Sequence, residues 1–376
     1  MQQHYDVIVI GAGINGCATA YELANANQKV LLVDKEGIAS GGSGAAGAFI
    51  SPKFSKAGEL KEIINEAFVY SMHYYQNNFP FSFIQRQLIH IAKDEKEAKV
   101  LSYFKQNTTL ELRDPSLEDI KLLCCDLKTQ EYISLDAGIV DAPMVCRSMA
   151  QKADFLQYEV QTLHYKDGVW FIGNGCSAKH IVLATGAYQH LLQEEYIALR
   201  GVWGHRIDIK TSTRNPYSIH QFVSISSTTE DQLAIGATHD VHYHPQHATH
   251  PYDYEKGREE LLAKASKTVQ LEDVQVIKDY TGLRSGSFDY LPLVGPLVDS
   301  QQTLACCEKK LRVKKPDDKS FIYYPNLTMI NGSGGYGFVL APFLAKILKK
   351  YILDQQEIPK SLLPTRFFVR WAKRRK

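Results

Sequence analysis

Residues 5–34, YDVIVIGAGINGCATAYELANANQKVLLVD, constrain this chain more than any other stretch. An apolar run over 7–10 ends in Gly11, Gly13 and Gly16, spaced GxGxxG. Cys17, Ala20, Leu23 and Ala24 then recur at helical spacing, and a second apolar run over 30–33 ends in Asp34. Strand, glycine turn, helix, strand and acid at these distances make the βαβ unit that cradles a dinucleotide. Gly11 makes the tight turn, Gly13 lets the backbone approach a pyrophosphate, and Gly16 lets helix and strand pack closely. The phosphate charge sits on the helix N-terminus, at Ile14 and Asn15. Asp34, with Lys35 beside it, is placed to accept hydrogen bonds from a ribose. An acid there disfavours a 2′-phosphate, so FAD or NAD is expected rather than NADP.

Three later stretches repeat the theme of small residues after a strand. Residues 40–47 are a run of small residues that includes Ser43, Gly44, Ala46 and Gly47. Such a backbone can lie close to a flat ligand. A strand predicted over 177–183 runs into Thr185 and Gly186, a second approach point. A strand over 327–330 feeds Gly334, Gly335, Tyr336, Gly337 and Phe338 and then a helix over 341–354. That turn is a candidate anion or oxygen site, with a positive pole for a reduced flavin ring.

Between these points, the pattern predicts helices over 59–79, 93–106 and 143–152, the last capped by Asp141. Strands are predicted over 82–91, 158–163 and 169–172, and a turn at residues 136–138. From residue 200 the chain changes character, with antiparallel strands over 201–210, 222–226 and 233–237, a helix over 254–267 and a strand over 274–280. Residues 308–320 read as a surface excursion. The fold class is α/β with an α+β second domain: a Rossmann-like dinucleotide domain holding an inserted antiparallel-sheet substrate domain. The expected division gives 1–80, 130–199 and 276–365 to the first, 81–129 and 200–275 to the second, and 366–376 to a basic tail.

Composition narrows the class further. The 376 residues are 44% hydrophobic and 22% charged, and carry a net charge of +2. These are values of an ordinary globular protein, with no bulk attraction for nucleic acid. No apolar run is long enough for a membrane span, and the strand starting near residue 5 leaves no room for a signal peptide. The cysteines Cys17, Cys124, Cys125, Cys146, Cys176, Cys306 and Cys307 are odd in number and lack metal-ligand spacing, so free thiols in a cytoplasmic setting are expected. His239, His242, His244, His247 and His250 read as an exposed polar loop, and no metal is expected. The end is the exception in charge: Arg366, Arg370, Lys373, Arg374, Arg375 and Lys376 occur without an acid. They form either a solvated tail or a phosphate-contacting patch.

The ordered set GAGING with Asp34, SGGSGAAG, LATGA, GLRS with DYLPLVG, and NGSGGYGF resembles the D-amino-acid-oxidase (DAO) family of FAD enzymes across nearly the whole chain. Within it, residues 43–48 with Pro52 and Lys53, and the ending LPTRFFVR, resemble the oxidase half of the bifunctional enzymes that modify the wobble uridine of tRNA. The resemblance implies noncovalently bound FAD and oxidation of a carboxymethylaminomethyl group on tRNA, releasing glyoxylate and leaving aminomethyl-uridine. It makes Arg284 the clamp for the substrate carboxylate and, with Tyr336, a candidate catalytic residue. Members of that group often carry Arg where this chain has Tyr336. Their methyltransferase half has no counterpart here, so a separate methyltransferase is expected to act on the product.

Two rivals stand beside this expectation. An oxidase of a free small amino acid, such as glycine, sarcosine or a D-amino acid, would use the same fold, the same Arg284 and the same FAD. A flavin-binding protein without turnover could act as a tRNA-binding or assembly factor. The basic ending favours RNA, and Arg284 favours turnover.

Overall fold

The computed structural model describes residues 3–116, 118–188, 190–311 and 318–375, without the side chains of 307–310 and 318. The chain opens with β1 (Gln3–Ile10), α1 (Ile14–Ala24), β2 (Val30–Asp34), the short β3 (Phe49–Ile50), α2 (Glu59–Asn78), β4 (Phe83–Ile91) and α3 (Glu95–Asn107). It continues through β5 (Tyr132–Val140), α4 (Ala142–Ala150), β6 (Asp154–Gln157), the hairpin β7 (His164–Lys166) and β8 (Val169–Phe171), and β9 (Cys176–Leu183). Then come β10 (Leu199–Lys210), β11 (Ser218–His220), β12 (Ser224–Ile225), β13 (Gln232–Gly236), α5 (Tyr254–Ala265) and β14 (Gln275–Ser287). The last elements are β15 (Leu293–Val298), α6 (Ser300–Leu311), β16 (Tyr323–Asn331), α7 (Gly337–Asp354) and α8 (Thr365–Ala372).

Two sheets result. The first runs β15-β16-β9-β1-β2-β6, with parallel pairing from β16 to β6 and the β7–β8 hairpin attached to β9. Its β1 is apolar on both faces because both are covered. Val7 and Val9 pack into one cluster with α1 and α7, while Ile8 and Ile10 pack into another with Trp170, Tyr196 and Phe368. The second sheet runs β14-β10-β13-β12-β11-β4-β5-β3. Its core contains Ile89, Ile207, Ile219 and Ile235, closed by Leu261 of α5. Segments 132–140 and 275–287 therefore pair in the second sheet, interleaved in sequence with strands of the first. Among the described residues, no helix is long and apolar enough to cross a membrane.

Several local expectations change. The turn expected at residues 136–138 is absent, because β5 runs straight through. Gly138 is there to admit the Phe83 ring, which a Cβ would meet at 2.2 Å. The strand expected over 158–163 is instead β6, just before it; residues 158–160 leave the sheet to wall a cleft. The strand expected over 222–226 shrinks to β12, since residues 221–223 form the turn that follows β11. The excursion expected over 308–320 begins as the end of α6, and residues 312–317 lie outside the described residues. The final helix starts four residues early, at Gly337. Pro342 inside it cannot donate to the carbonyl of Phe338. The Tyr75 hydroxyl from α2 donates to that carbonyl instead, at 2.8 Å.

Candidate active site

A cleft of about 710 Å³ opens between the two sheets. Its wall on the first-sheet side is backbone. Gly11 has φ +105°, and a Cβ there would lie 2.3 Å from the carbonyl oxygen of Ala184. Gly13 precedes α1 with no side-chain cap, leaving helix N–H groups available to an anion. The Ile14 N–H donates to Ser43 Oγ at 2.9 Å. Asn15 Nδ2 donates to Ser333 Oγ at 3.2 Å, and Asn331 Nδ2 donates to the Gly186 carbonyl at 2.9 Å. These two bonds tie the final glycine turn to the turns after β1 and β9. Asp34 accepts from Ala12 N at 2.8 Å and Glu36 N at 2.9 Å, so its carboxylate orders the turn as well as facing the cleft.

Gly11, Gly13, Ile14, Asn15, Asp34, Lys35, Ser43, Ala46, Gly47, Thr185, Gly186, Gly334, Gly335, Gly337 and Phe338 all line this one cleft, with Arg284 and Tyr336. Gly16 and Gly44 do not. A Cβ on Gly16 would lie 1.8 Å from the Gly11 carbonyl oxygen, and one on Gly44 would lie 2.1 Å from that of Ala39. Both glycines serve close packing behind the wall. The loop carrying Ser43 rests on β14: a Cβ on Gly282 would lie 2.8 Å from the Cα of Gly42.

Arg284 does not follow a strand, as a strand ending at residue 280 would have it; it lies inside β14, opposite Val202 of β10. Its guanidinium fills the space left by Gly204, where a Cβ would meet Nη2 at 2.4 Å. Nη1 donates to the Thr238 carbonyl at 3.1 Å, and no carboxylate among the described residues pairs with it. Burial pushes its basicity down. A buried guanidinium with donors to spare is a site for a planar anion. Burial pushes the Tyr336 phenol up to about 12, so it stays neutral and able to donate.

Three side chains of the second sheet complete the cleft that sequence patterns did not single out: His90 on β4, Trp203 on β10 and His220 on β11. Burial, then the neighbouring His90, holds His220 down to about 3. His90 bonds Glu97 at 3.3 Å. His90 shares a face of β4 with the core residue Leu88, so nothing in that run distinguishes a cleft residue from a core one. The histidines after β13 form a loop in which the His244 and His247 rings stack at 4.7 Å. No group of three His, Cys, Asp or Glu among the described residues is arranged to hold a metal.

Residues 6–351 match the model of the DAO family, described as FAD dependent oxidoreductase. The chain belongs to this family. It is an FAD-dependent oxidoreductase, and the glycine cradle, the α1 N-terminus and Asp34 fit the cofactor's pyrophosphate and ribose. Similar proteins include two named tRNA 5-methylaminomethyl-2-thiouridine biosynthesis bifunctional protein MnmC. That of Ectopseudomonas mendocina is 26% identical over 96% of this chain and 59% of its own length. That of Dichelobacter nodosus is 25% identical over 97% of this chain and 58% of its own length. The chain thus spans about three fifths of these relatives. Among solved structures, L-proline dehydrogenase from P. horikoshii superposes with a TM-score of 0.75 at 19% identity, covering 98% of this chain and 99% of that one. Glycine oxidase from Geobacillus kaustophilus superposes with a TM-score of 0.73 at 18% identity, covering 95% and 96%. Those two likenesses establish the DAO fold, a dinucleotide sheet joined to a second sheet.

The basic ending is not a free tail in this DAO protein. Residues 365–372 form α8, with Phe367 and Phe368 buried in the first-sheet core. Arg366 is committed to Asp289, with Nε to Oδ2 at 2.8 Å and Nη2 to Oδ1 at 3.0 Å. Arg375 lies over Trp371 at 4.7 Å. Lys376 lies outside the described residues.

Proposed function

We propose that this chain oxidises the carboxymethylaminomethyl group on the wobble uridine of tRNA, with FAD held noncovalently. The observation that carries the choice of substrate is likeness in sequence: the tRNA-modifying relatives are 25% and 26% identical over almost the whole chain, against 18% and 19% for the two oxidase structures. Likeness to the amino-acid oxidases is one of fold.

The substrate is an N-substituted glycine, a secondary amine with a carboxylate one carbon away. Arg284 holds that carboxylate through two charge-assisted hydrogen bonds and so fixes the carbon between carboxylate and nitrogen. Bound in the cleft, FAD would supply the hydride acceptor for that carbon. No cleft residue is assigned as a general base, and none is needed when the amine enters neutral. Tyr336 stays protonated and serves as a donor at the cleft wall. The carbon–nitrogen double bond left on the substrate takes up water, and its cleavage releases glyoxylate and leaves aminomethyl-uridine.

Nucleoside mass spectrometry of carboxymethylaminomethyl-bearing tRNA, before and after incubation with the protein, tests this. The expected result is conversion to aminomethyl-uridine with glyoxylate in the filtrate. Unchanged tRNA alongside turnover of glycine or sarcosine would replace this function with that of a free amino-acid oxidase.

A further inference from the structure

Beyond Arg284, β14 ends at Ser287 and the chain turns before β15. Two large aromatics stand out on this turn, Phe288 at 61% and Tyr290 at 63% exposure. The turn is held firmly. Asp289, between them, accepts the bidentate pair from Arg366 of α8, and Ser287 Oγ also donates to it at 3.0 Å. Arg366 Nη2 donates onward to the Leu291 carbonyl at 2.7 Å. Tyr290 has φ +67°, a conformation that a bulky residue keeps only where its surroundings fix it.

Two cations lie near Tyr290. The Arg200 guanidinium lies 4.8 Å over the Tyr290 ring, and its Nε is buried without a partner. Lys53 Nζ lies 5.4 Å from the centroid of Tyr336, a cleft residue, and within electrostatic reach of Tyr290. Among the described residues, neither cation has a carboxylate within ion-pair distance. The cluster also borders the cleft through Gly286, which bridges to Ser333 of the final glycine turn.

We propose that Phe288, Tyr290, Arg200 and Lys53 form a platform on which unpaired bases of an RNA loop stack as the modified uridine enters the cleft. This rests on the tRNA function proposed above. Every base has a π-face, so aromatic side chains hold single strands without reading sequence. Unpaired cations beside them match the backbone phosphates. An RNA loop presents bases already splayed from a duplex, and this turn lies next to the cleft through the Gly286–Ser333 bridge. A free amino acid needs no such surface. Arg366 is then a positioning residue: it holds the turn through Asp289 and touches no phosphate.

Binding of an unmodified anticodon-arm RNA hairpin, measured at several salt concentrations with flavin content as the folding control, tests the platform. The Phe288→Ala/Tyr290→Ala protein should bind about 10-fold or more weakly with an unchanged salt slope. Tyr290→Phe should bind like the parent. Arg200→Gln should flatten the slope of log affinity against log salt by about 0.7. Arg366→Gln should weaken binding without flattening the slope. Equal hairpin binding by the parent and a fully flavinated double-alanine variant would overturn the platform and leave the tRNA function standing. A parent protein that neither binds the hairpin nor converts modified tRNA would overturn both.

Discussion

The two walls of the cleft recognise ligands by different means. On the first-sheet side, Gly11, Gly13, Thr185, Gly186, Gly334 and Gly335 offer backbone, and the helix N-termini supply the field. On the second-sheet side, Arg284, His90, Trp203 and His220 offer side chains from β14, β4, β10 and β11. A backbone wall fits a ligand shared by a whole family and tolerates no added atom. A side-chain wall can change its chemistry one residue at a time. Substitutions should therefore be severe and indiscriminate on the first wall, and selective on the second.

The largest effect expected is at Gly11. Alanine there would place its Cβ 2.3 Å from the Ala184 carbonyl oxygen on a backbone at φ +105°. Gly11→Ala should cost several kcal/mol and yield protein without flavin. Absorbance of the purified protein near 450 nm, roughly the flavin band, checks this; a normal flavin content would break the contrast between the walls.

Acid should blur the contrast, since each sheet carries a histidine held neutral. Burial holds His180 of β9 down to about 4, and His220 of β11 lies at about 3. An unfolded histidine titrates near 6.5, so below that pH the unfolded chain takes up protons that the fold refuses. Their stabilising contribution is complete above about pH 6.5 and is lost as the pH falls through about 4 and then 3. Each tenfold loss of proton affinity on folding is worth about 1.4 kcal/mol, so the pair should lower stability steeply in acid. Urea unfolding at a series of pH values reads it, and His180→Gln should flatten the profile from the first sheet alone.

Arg284→Lys sharpens the comparison from the other wall. A planar fork becomes a point charge, and each lost charge-assisted bond is worth about 1.5–3 kcal/mol. Flavin content should stay normal while kcat/KM for modified tRNA falls by about 10- to 100-fold. Unchanged kinetics would remove Arg284 as the carboxylate clamp.

The smallest effect lies outside both walls. Arg370, Lys373, Arg374 and Arg375 changed to Gln, with Arg366 and Trp371 kept, should lower the salt slope of tRNA binding by about 0.7–0.9 for each phosphate contact actually made. An unchanged slope in fully flavinated protein would rule out these four cations as RNA contacts.

This contrast also governs what the residue pattern could disclose. Backbone recognition leaves a mark in sequence, because GxGxxG at residues 11–16 and the turn at residues 332–337 need glycine at fixed spacing. The cofactor wall was legible for that reason. Gly16 and Gly44 show the limit, since glycine needed for packing looks like glycine needed for a ligand. Side-chain recognition leaves no such mark. His90 and His220 sit 130 positions apart and meet only because β4 pairs with β11, at 6.1 Å between rings. Arg366 was open to reading as a solvated cation or a phosphate ligand, because a run of cations shows charge but hides Asp289, distant in sequence and close in space.

The seam where Gly42 rests on Gly282 bears on how such a protein can diversify. The loop that carries Ser43 touches the strand that carries Arg284 through backbone at Gly42 and Gly282, with only the Ala45 methyl beside them. A lineage can exchange residues across β4, β10 and β11 while the seating of this loop against β14 is inherited unchanged. One scaffold can then spread over many substrates without re-evolving its geometry of attack.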